Sequence, residues 1–322
     1  MATLLHSTAI IAHCWKISNG IFYTENVLKY NSLCAIIAIS SERTYSNMKI
    51  ALYTPPFTNM TSYYEMVDVA KKYGIKYMET ITLMELSDPD VEFAKKLYEY
   101  ASERGIAFSC VSVYANVSIE SFDADVTRLK GFVDVAKALH SPYIHHTIVP
   151  EYESFANISD NLDALYENGV KAVKEISSYA KSQGITALYE PQGYLFNGVK
   201  TLEKLTSEVK DVGLVGDFGN VFFVDERITP ILKAFPDKIK NVHLKDYLVV
   251  ESASECCTSK FGTHFIDRPL GCGEVDFEEA FTALREIGYD GCVALEAACC
   301  SENEEEEFVA NLEFMKKLGC EL

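Results

Sequence analysis

Basic residues are scarce in this chain. Its 29 Lys and Arg stand against 47 Asp and Glu, for a formal net charge of −18 and a pI near 4.8. Such a field repels phosphate backbones, so the balance argues against nucleic acid as a partner. Long apolar runs are lacking too. No uninterrupted hydrophobic stretch reaches the roughly 20 residues that cross a bilayer, and mean hydropathy is +0.01, so no membrane association is expected. Ten cysteines are present, without regular spacing and without a C-x-x-C pair. They read as the reduced thiols of a cytoplasmic protein rather than as a disulfide framework. The chain also has no G-x-G-x-x-G and no P-loop, the commonest phosphate-cradling glycine patterns.

What is present is the composition of a globular protein: 322 residues, 48% hydrophobic and 24% charged. That length sits near the upper size served by one hydrophobic core. A second start is legible within the chain, because Met48-Lys49-Ile50-Ala51-Leu52-Tyr53-Thr54 reads as a first strand. Residues 1–47 are therefore set apart as an N-terminal extension, expected to be poorly ordered, and 48–322 as the folded unit. A signal peptide over Leu4–Trp15 is weakened by the missing basic segment and by His6 and His13.

From Met48 onward, β-rich runs alternate with amphipathic stretches. Strands are expected at 49–54, 76–81, 107–114, 143–149, 186–190, 213–217, 240–245 and 291–296. Helices are expected over 62–73, 90–104, 121–139, 158–183, 201–208, 228–235, 277–287 and 303–318, several of them closed by a glycine. Strands separated by helices pair in parallel through right-handed crossovers. Eight units in 275 residues predict a single-domain closed (β/α)8 TIM barrel rather than an open doubly wound sheet.

In such a barrel the chemistry lies where the strands end. Four late strands end in side chains that bind metals: Glu190, Asp217, His243 and Glu296. Three ionised carboxylates buried together without a partner would be prohibitively costly. A divalent cation removes that conflict, with one imidazole and three carboxylates as its inner shell.

At these positions the sequence resembles the xylose isomerase-like barrel superfamily, in its sugar phosphate isomerase/epimerase branch. The matching pieces are Tyr189-Glu190-Pro191, Asp217-Phe218-Gly219-Asn220, His243-Leu244-Lys245-Asp246, Gly271-Cys272-Gly273-Glu274-Val275-Asp276-Phe277, and Ile287-Gly288-Tyr289-Asp290-Gly291 through Leu295-Glu296. The resemblance implies a divalent ion, Mn²⁺ first and otherwise Mg²⁺, Co²⁺ or Zn²⁺, held at Glu190, Asp217, His243 and Glu296. It also implies that Glu190 and Glu296 move a substrate proton. One position departs: several branches, including endonuclease IV, place a histidine where this chain has Asn220, which can neither titrate nor replace imidazole as a ligand. That counts against a multi-zinc nuclease.

The chemistry expected is proton transfer next to the carbonyl of a small sugar, sugar phosphate or polyol, through an enediolate, giving isomerisation or epimerisation. Loss of a β-hydroxyl from nearly the same site would make an inosose dehydratase-type lyase. An endonuclease IV-like hydrolase and a non-catalytic carbohydrate- or metal-binding protein complete the alternatives. Substrate contacts are expected from Glu79, Asn220 and Lys245. Alternation lets only one of His145 and His146 face inward, and His146 is assigned to substrate. Cys299-Cys300 and Cys256-Cys257 read as structural. The stretch 248–270, carrying His264 and Arg268, reads as a long loop able to act as a lid, and the acidic run Ser301–Glu307 as a helix start. Homo-oligomerisation is left open, with a dimer as the ordinary expectation.

Overall fold

The computed structural model describes residues 47–117, 120–148, 162–251, 256–297 and 300–322. The expectation for residues 1–47 falls outside these, apart from Asn47, and so do Val149 and Cys299.

Eight parallel strands close on themselves, each followed by a helix. The order is β1 (Lys49–Leu52), α1 (Tyr63–Tyr73), β2 (Tyr77–Thr80), α2 (Val91–Ser102), β3 (Ala107–Val113), α3 (Phe122–Ala138), β4 (Tyr143–His146) and α4 (Leu162–Ser182). It continues through β5 (Thr186–Tyr189), α5 (Val199–Glu208), β6 (Gly213–Asp217), α6 (Ile228–Ala234) and β7 (Ile239–Leu244). Then come β8 (Asp246–Val250), β9 (Cys257–Thr258), β10 (His264–Arg268), α7 (Phe277–Glu286), β11 (Cys292–Leu295) and α8 (Glu304–Lys317). The barrel is closed by β1, which pairs in parallel with both β2 and β11.

The local chemistry explains why these segments stop and start where they do. Ser62 accepts from the Tyr64 N–H while Glu65 reaches back to the Ser62 N–H, a capping box that opens α1. Gly74 closes the same helix at φ 77°, a left-handed conformation that a side chain would strain. Alternation along the strands then sorts the side chains. Ile50, Leu52, Met78, Val111, Ile144, Val242 and Leu295 pack outward against the helices in one continuous core. The opposite phase faces the barrel interior, where Ala51, Tyr53 and Ala294 pack together, as do Cys110, Leu188 and Val215. The same inward phase carries Glu79, Ser112, His145, Glu190, Asp217, Asn241, His243 and Glu296.

The stretch after β7 is not the plain loop expected from its sequence. It folds into a three-stranded antiparallel sheet in the order β8-β10-β9. Tyr247 and Phe265 lock this sheet onto Tyr194, Phe222 and Phe223 from the loops after β5 and β6. Asp246 accepts the N–H groups of Gly271, Gly273 and Val275, which ties the end of the excursion to its start.

Candidate metal centre

Each of the last four barrel strands, β5, β6, β7 and β11, delivers one donor to the same place. Glu190 follows β5, Asp217 ends β6, His243 lies in β7 and Glu296 follows β11. His243 Nδ1 sits 3.1 Å from Glu190 Oε1, 3.1 Å from Glu296 Oε2 and 3.8 Å from Asp217 Oδ2. One donor atom from each of the four residues lies within 4.8 Å of all the others. Glu190, Asp217 and His243 are almost completely buried, and Glu296 is partly open toward the mouth.

The far side of the imidazole is equally determined. Nε2 lies 3.0 Å from Glu79 Oε2, and the Asn241 amide donates to Glu79 Oε1 at 2.8 Å. Glu79 is fully buried, so it does not stand at the mouth among substrate hydroxyls as its sequence position suggested. It holds the ring from beneath, an arrangement that fixes the tautomer and strengthens the other nitrogen as a ligand. The Tyr53 ring lies 4.5 Å from the imidazole, and the Tyr53 hydroxyl is 2.5 Å from Ser112 Oγ across the barrel.

The histidine pair on β4 is phased oppositely to expectation. His145 faces the cluster, with Nδ1 3.7 Å from Glu190 Oε2 and its ring edge-on to His243 at 4.9 Å. Among the described residues neither of its ring nitrogens finds a hydrogen-bond partner. His146, the residue expected to meet substrate, points the other way, its Nδ1 3.1 Å from the Thr147 carbonyl and its ring near Tyr189 in the outer core. Both are fully buried, so burial pulls their pKa values down, His146 to about 4.

Lys245 and Asn220 complete the mouth of the cluster. Lys245 Nζ donates to Glu296 Oε1 at 2.8 Å and to Asn220 Oδ1 at 3.2 Å, and lies 3.1 Å from Asp217 Oδ2. Asp217 Oδ1 accepts the N–H groups of Gly219 and Asn220 at 2.8 and 2.6 Å, which turns Oδ2 toward His243. A side chain at Gly219 would overlap the Lys245 stem, so that glycine is what lets the lysine pass. The structure thus gathers Glu190, Asp217, His243, Glu296, Glu79, Asn220 and Lys245 into one network.

The charge balance of that network fits a divalent cation. The buried carboxylates of Glu79, Glu190 and Asp217 and the partly open one of Glu296 share Lys245 and one imidazole. Burial, with Glu296 and Glu190 adding to it against Lys245, pushes Asp217 up to about 7. Burial also opposes ionisation of Glu296, but Lys245 and His243 overcome it and hold that carboxyl at about 2. Glu190 is held below the usual range against its burial by His145 and His243. Burial works against a charged His243, yet the Glu79 carboxylate and the close carboxylates of Glu190 and Glu296 drive its pKa well up. Asp217 Oδ2 and Glu296 Oε2 are buried oxygens near cations but without hydrogen-bond geometry. Two orphaned oxygens beside an imidazole and a third carboxylate suit an ion of the Mg²⁺, Mn²⁺ or Zn²⁺ kind.

Four participants had little signal in the sequence. Asn241 shares the inward phase of β7 with His243, a clue available from period-2 spacing. Tyr53 and Ser112 meet only through barrel closure. Asp267, on β10, feels Lys245 and Glu296 and is pushed up to about 6, chiefly by burial.

The family model described as xylose isomerase-like TIM barrel matches residues 67–318, and the chain belongs to that family. It is 23% identical over 243 residues to an inosose isomerase of Halalkalibacterium halodurans, covering 71% of this chain and 80% of that one. It is 29% identical over 139 residues to an inosose dehydratase of Clostridium tetani, covering 39% of this chain and 45% of the relative. Among solved structures, the IOLI protein with a bound zinc atom superposes with a TM-score of 0.68 at 18% identity, over 84% of this chain and 98% of that one.

Proposed function

We propose that this member of the xylose isomerase-like TIM barrel family is a divalent-metal-dependent isomerase or epimerase of a sugar or polyol ketone. The observation that carries the reading is the convergence of Glu190, Asp217 and Glu296 on His243 Nδ1, with Glu79 holding the opposite nitrogen. Glu190, Asp217, His243 and Glu296 would hold the ion. When bound, it supplies Lewis acidity that draws electron density onto a carbonyl oxygen.

The protein's own groups perform the proton transfer. Glu190 and Glu296, both held ionised, flank the same point, so one is available as base and the other, once protonated, as acid. The base removes the proton from the carbon next to the carbonyl, and the C–H pair becomes the double bond of an enediolate. Return of a proton to the opposite face inverts the centre; return to the neighbouring carbon, with the hydroxyl proton passing to the former carbonyl oxygen, moves the carbonyl. Lys245 donates to Glu296 Oε1, which leaves Oε2 beside His243 Nδ1.

A second reading, an inosose dehydratase-type lyase, draws on the match to the Clostridium tetani enzyme. It shares the proton abstraction and then expels a β-hydroxyl as water. Mass spectrometry of products from ketoses and inososes incubated with the metal-loaded protein separates the two. A product of unchanged mass supports isomerisation, loss of water supports the lyase, and no turnover of any panel member contradicts both. The hydrolase alternative is not retained, because Asn220 stands where the nuclease branch needs an imidazole.

A further inference from the structure

The three-stranded sheet starts one residue after Lys245, and one of its faces is turned to the barrel. Asp267 on β10 pairs with Tyr247 on β8, as Phe265 does with Val249. Paired residues, and alternate residues of one strand, project from the same face of a sheet. Asp267 therefore shares the face on which Tyr247 and Phe265 pack against Phe222 and Phe223. It stands at the barrel end of that face, next to Arg268, whose partner across the ladder is Asp246.

The charges of Lys245 and Glu296 both act on the Asp267 carboxyl, which is half-buried and pushed up to about 6 chiefly by that burial. It is nevertheless left without a side-chain donor. Lys245 Nζ donates to Glu296 Oε1 and Asn220 Oδ1 and pairs with Asp217 Oδ2 at 3.1 Å, so its three protons are taken. Arg268 Nη1 donates to the Asp267 carbonyl, at 3.1 Å, and not to its carboxylate. Among the described residues only its own backbone N–H donates to that carboxylate. A half-buried carboxylate beside the mouth thus keeps most of its accepting capacity unused, which costs free energy unless a ligand supplies the donor. Beside the same lysine a donor is left over as well. Asn220 Oδ1 receives Lys245, and the buried Asn220 Nδ2 has no acceptor among the described residues. A hydroxyl group is donor and acceptor at once, so a ligand rich in hydroxyls satisfies both kinds of leftover group.

We propose that Asp267 is a specificity-determining residue: its carboxylate accepts a substrate hydroxyl carried beyond the carbons that exchange the proton. This rests on the metal-dependent ketone reading above and adds to it a residue outside the metal-binding set. A ligand whose hydroxyls all flank the carbonyl gains nothing from Asp267, whereas a longer one is held at its far end.

The test compares the Mn²⁺-loaded full-length parent with Asp267→Ala and Asp267→Asn. Titration calorimetry uses fructose, tagatose and an inosose. Asp267→Ala should weaken binding of the sugars by about 10- to 100-fold. Asp267→Asn should lose less, because its amide oxygen still accepts, but without charge. Mn²⁺ affinity should be unchanged in both. Deuterium exchange into dihydroxyacetone, whose hydroxyls all flank the carbonyl, should run at the parent rate. Parent-like sugar affinity in the variants overturns the proposal, as does a parent that binds no member of the panel. A parallel fall in Mn²⁺ affinity or in dihydroxyacetone exchange also overturns it, because Asp267 would then act through Lys245 on the cluster. If Asp267→Ala does not fold by circular dichroism, Asp267→Asn decides by the same criteria. A parent that binds sugars without exchanging deuterium removes the proton-transfer reading and leaves Asp267 to be judged on affinity. Exchange with unaltered affinity in the variants keeps that reading and removes this role.

Discussion

His243 is pinned on three sides, by Glu79 at one nitrogen, by the carboxylates at the other and by the Tyr53 ring across its face. Removing the lower support should therefore weaken the site without touching a ligand. Glu79→Gln is expected to reduce divalent-metal affinity by 10- to 100-fold, read by titration with Mn²⁺; unchanged affinity would mean that the ring needs no orienting partner. Glu296→Gln removes a ligand and a proton carrier together. It should keep the far-UV circular dichroism of the parent and lose about 10²- to 10⁴-fold in turnover, and substantial remaining activity would rule out the acid/base role. His146 has a different part, as a neutral imidazole in the outer core. Burial lowers its pKa from 6.5 to about 4, with His145 adding to burial and the Thr147 carbonyl opposing it. The unfolded chain binds the proton near pH 6.5, while the folded chain refuses it until about pH 4. Stability should be full above pH 6.5 and fall as the pH drops toward 4, by ~3 kcal/mol from this residue. His146→Gln should flatten that part of a urea-denaturation pH profile, and an equally steep profile would assign the loss elsewhere.

At the scale of elements, β7 and the excursion behind it organise the mouth. Asn241, His243 and Lys245 share one inward phase, and Asp246 then turns away to bind the returning loop. Gly273→Ala would drive a methyl group into the Asp246 carboxylate and the Tyr247 carbonyl. The expected cost is about 1–3 kcal/mol of stability, visible as an earlier denaturation midpoint with unchanged slope. The repeating units were legible in the sequence because each strand or helix follows a local period, and helix ends such as Ser62 and Gly74 carry their own signals. The three-stranded sheet was not legible. Its strands are short, β9 is only Cys257–Thr258, and its pairing depends on Tyr247 and Phe265 finding aromatic partners from two other loops. The phase of β4 was hidden for a related reason: His145 and His146 are adjacent, alike and equally buried, so only barrel closure tells them apart. The support role of Glu79 likewise depends on a contact with β7 across the barrel.

At the scale of the molecule, the barrel gathers excess negative charge into a buried cluster, and metal binding should stabilise the fold. A free ion concentration of 100 times Kd adds about 2.7 kcal/mol, or about 5 °C in Tm for a domain of this size. Calorimetry with and without a chelator reads that shift, and identical melting points would contradict a metal held by these residues. The family, the barrel and the gathering of four donor residues are common to sequence and structure. The most direct measurement is NMR of ketoses and inososes incubated in D₂O with the Mn²⁺-loaded protein, with the chelator-stripped protein and with Glu296→Gln. Deuterium should enter at the carbon next to the carbonyl only with the loaded parent protein. Exchange that survives metal removal or the Glu296→Gln change would contradict metal-dependent proton transfer at this site, as would its absence from the entire panel.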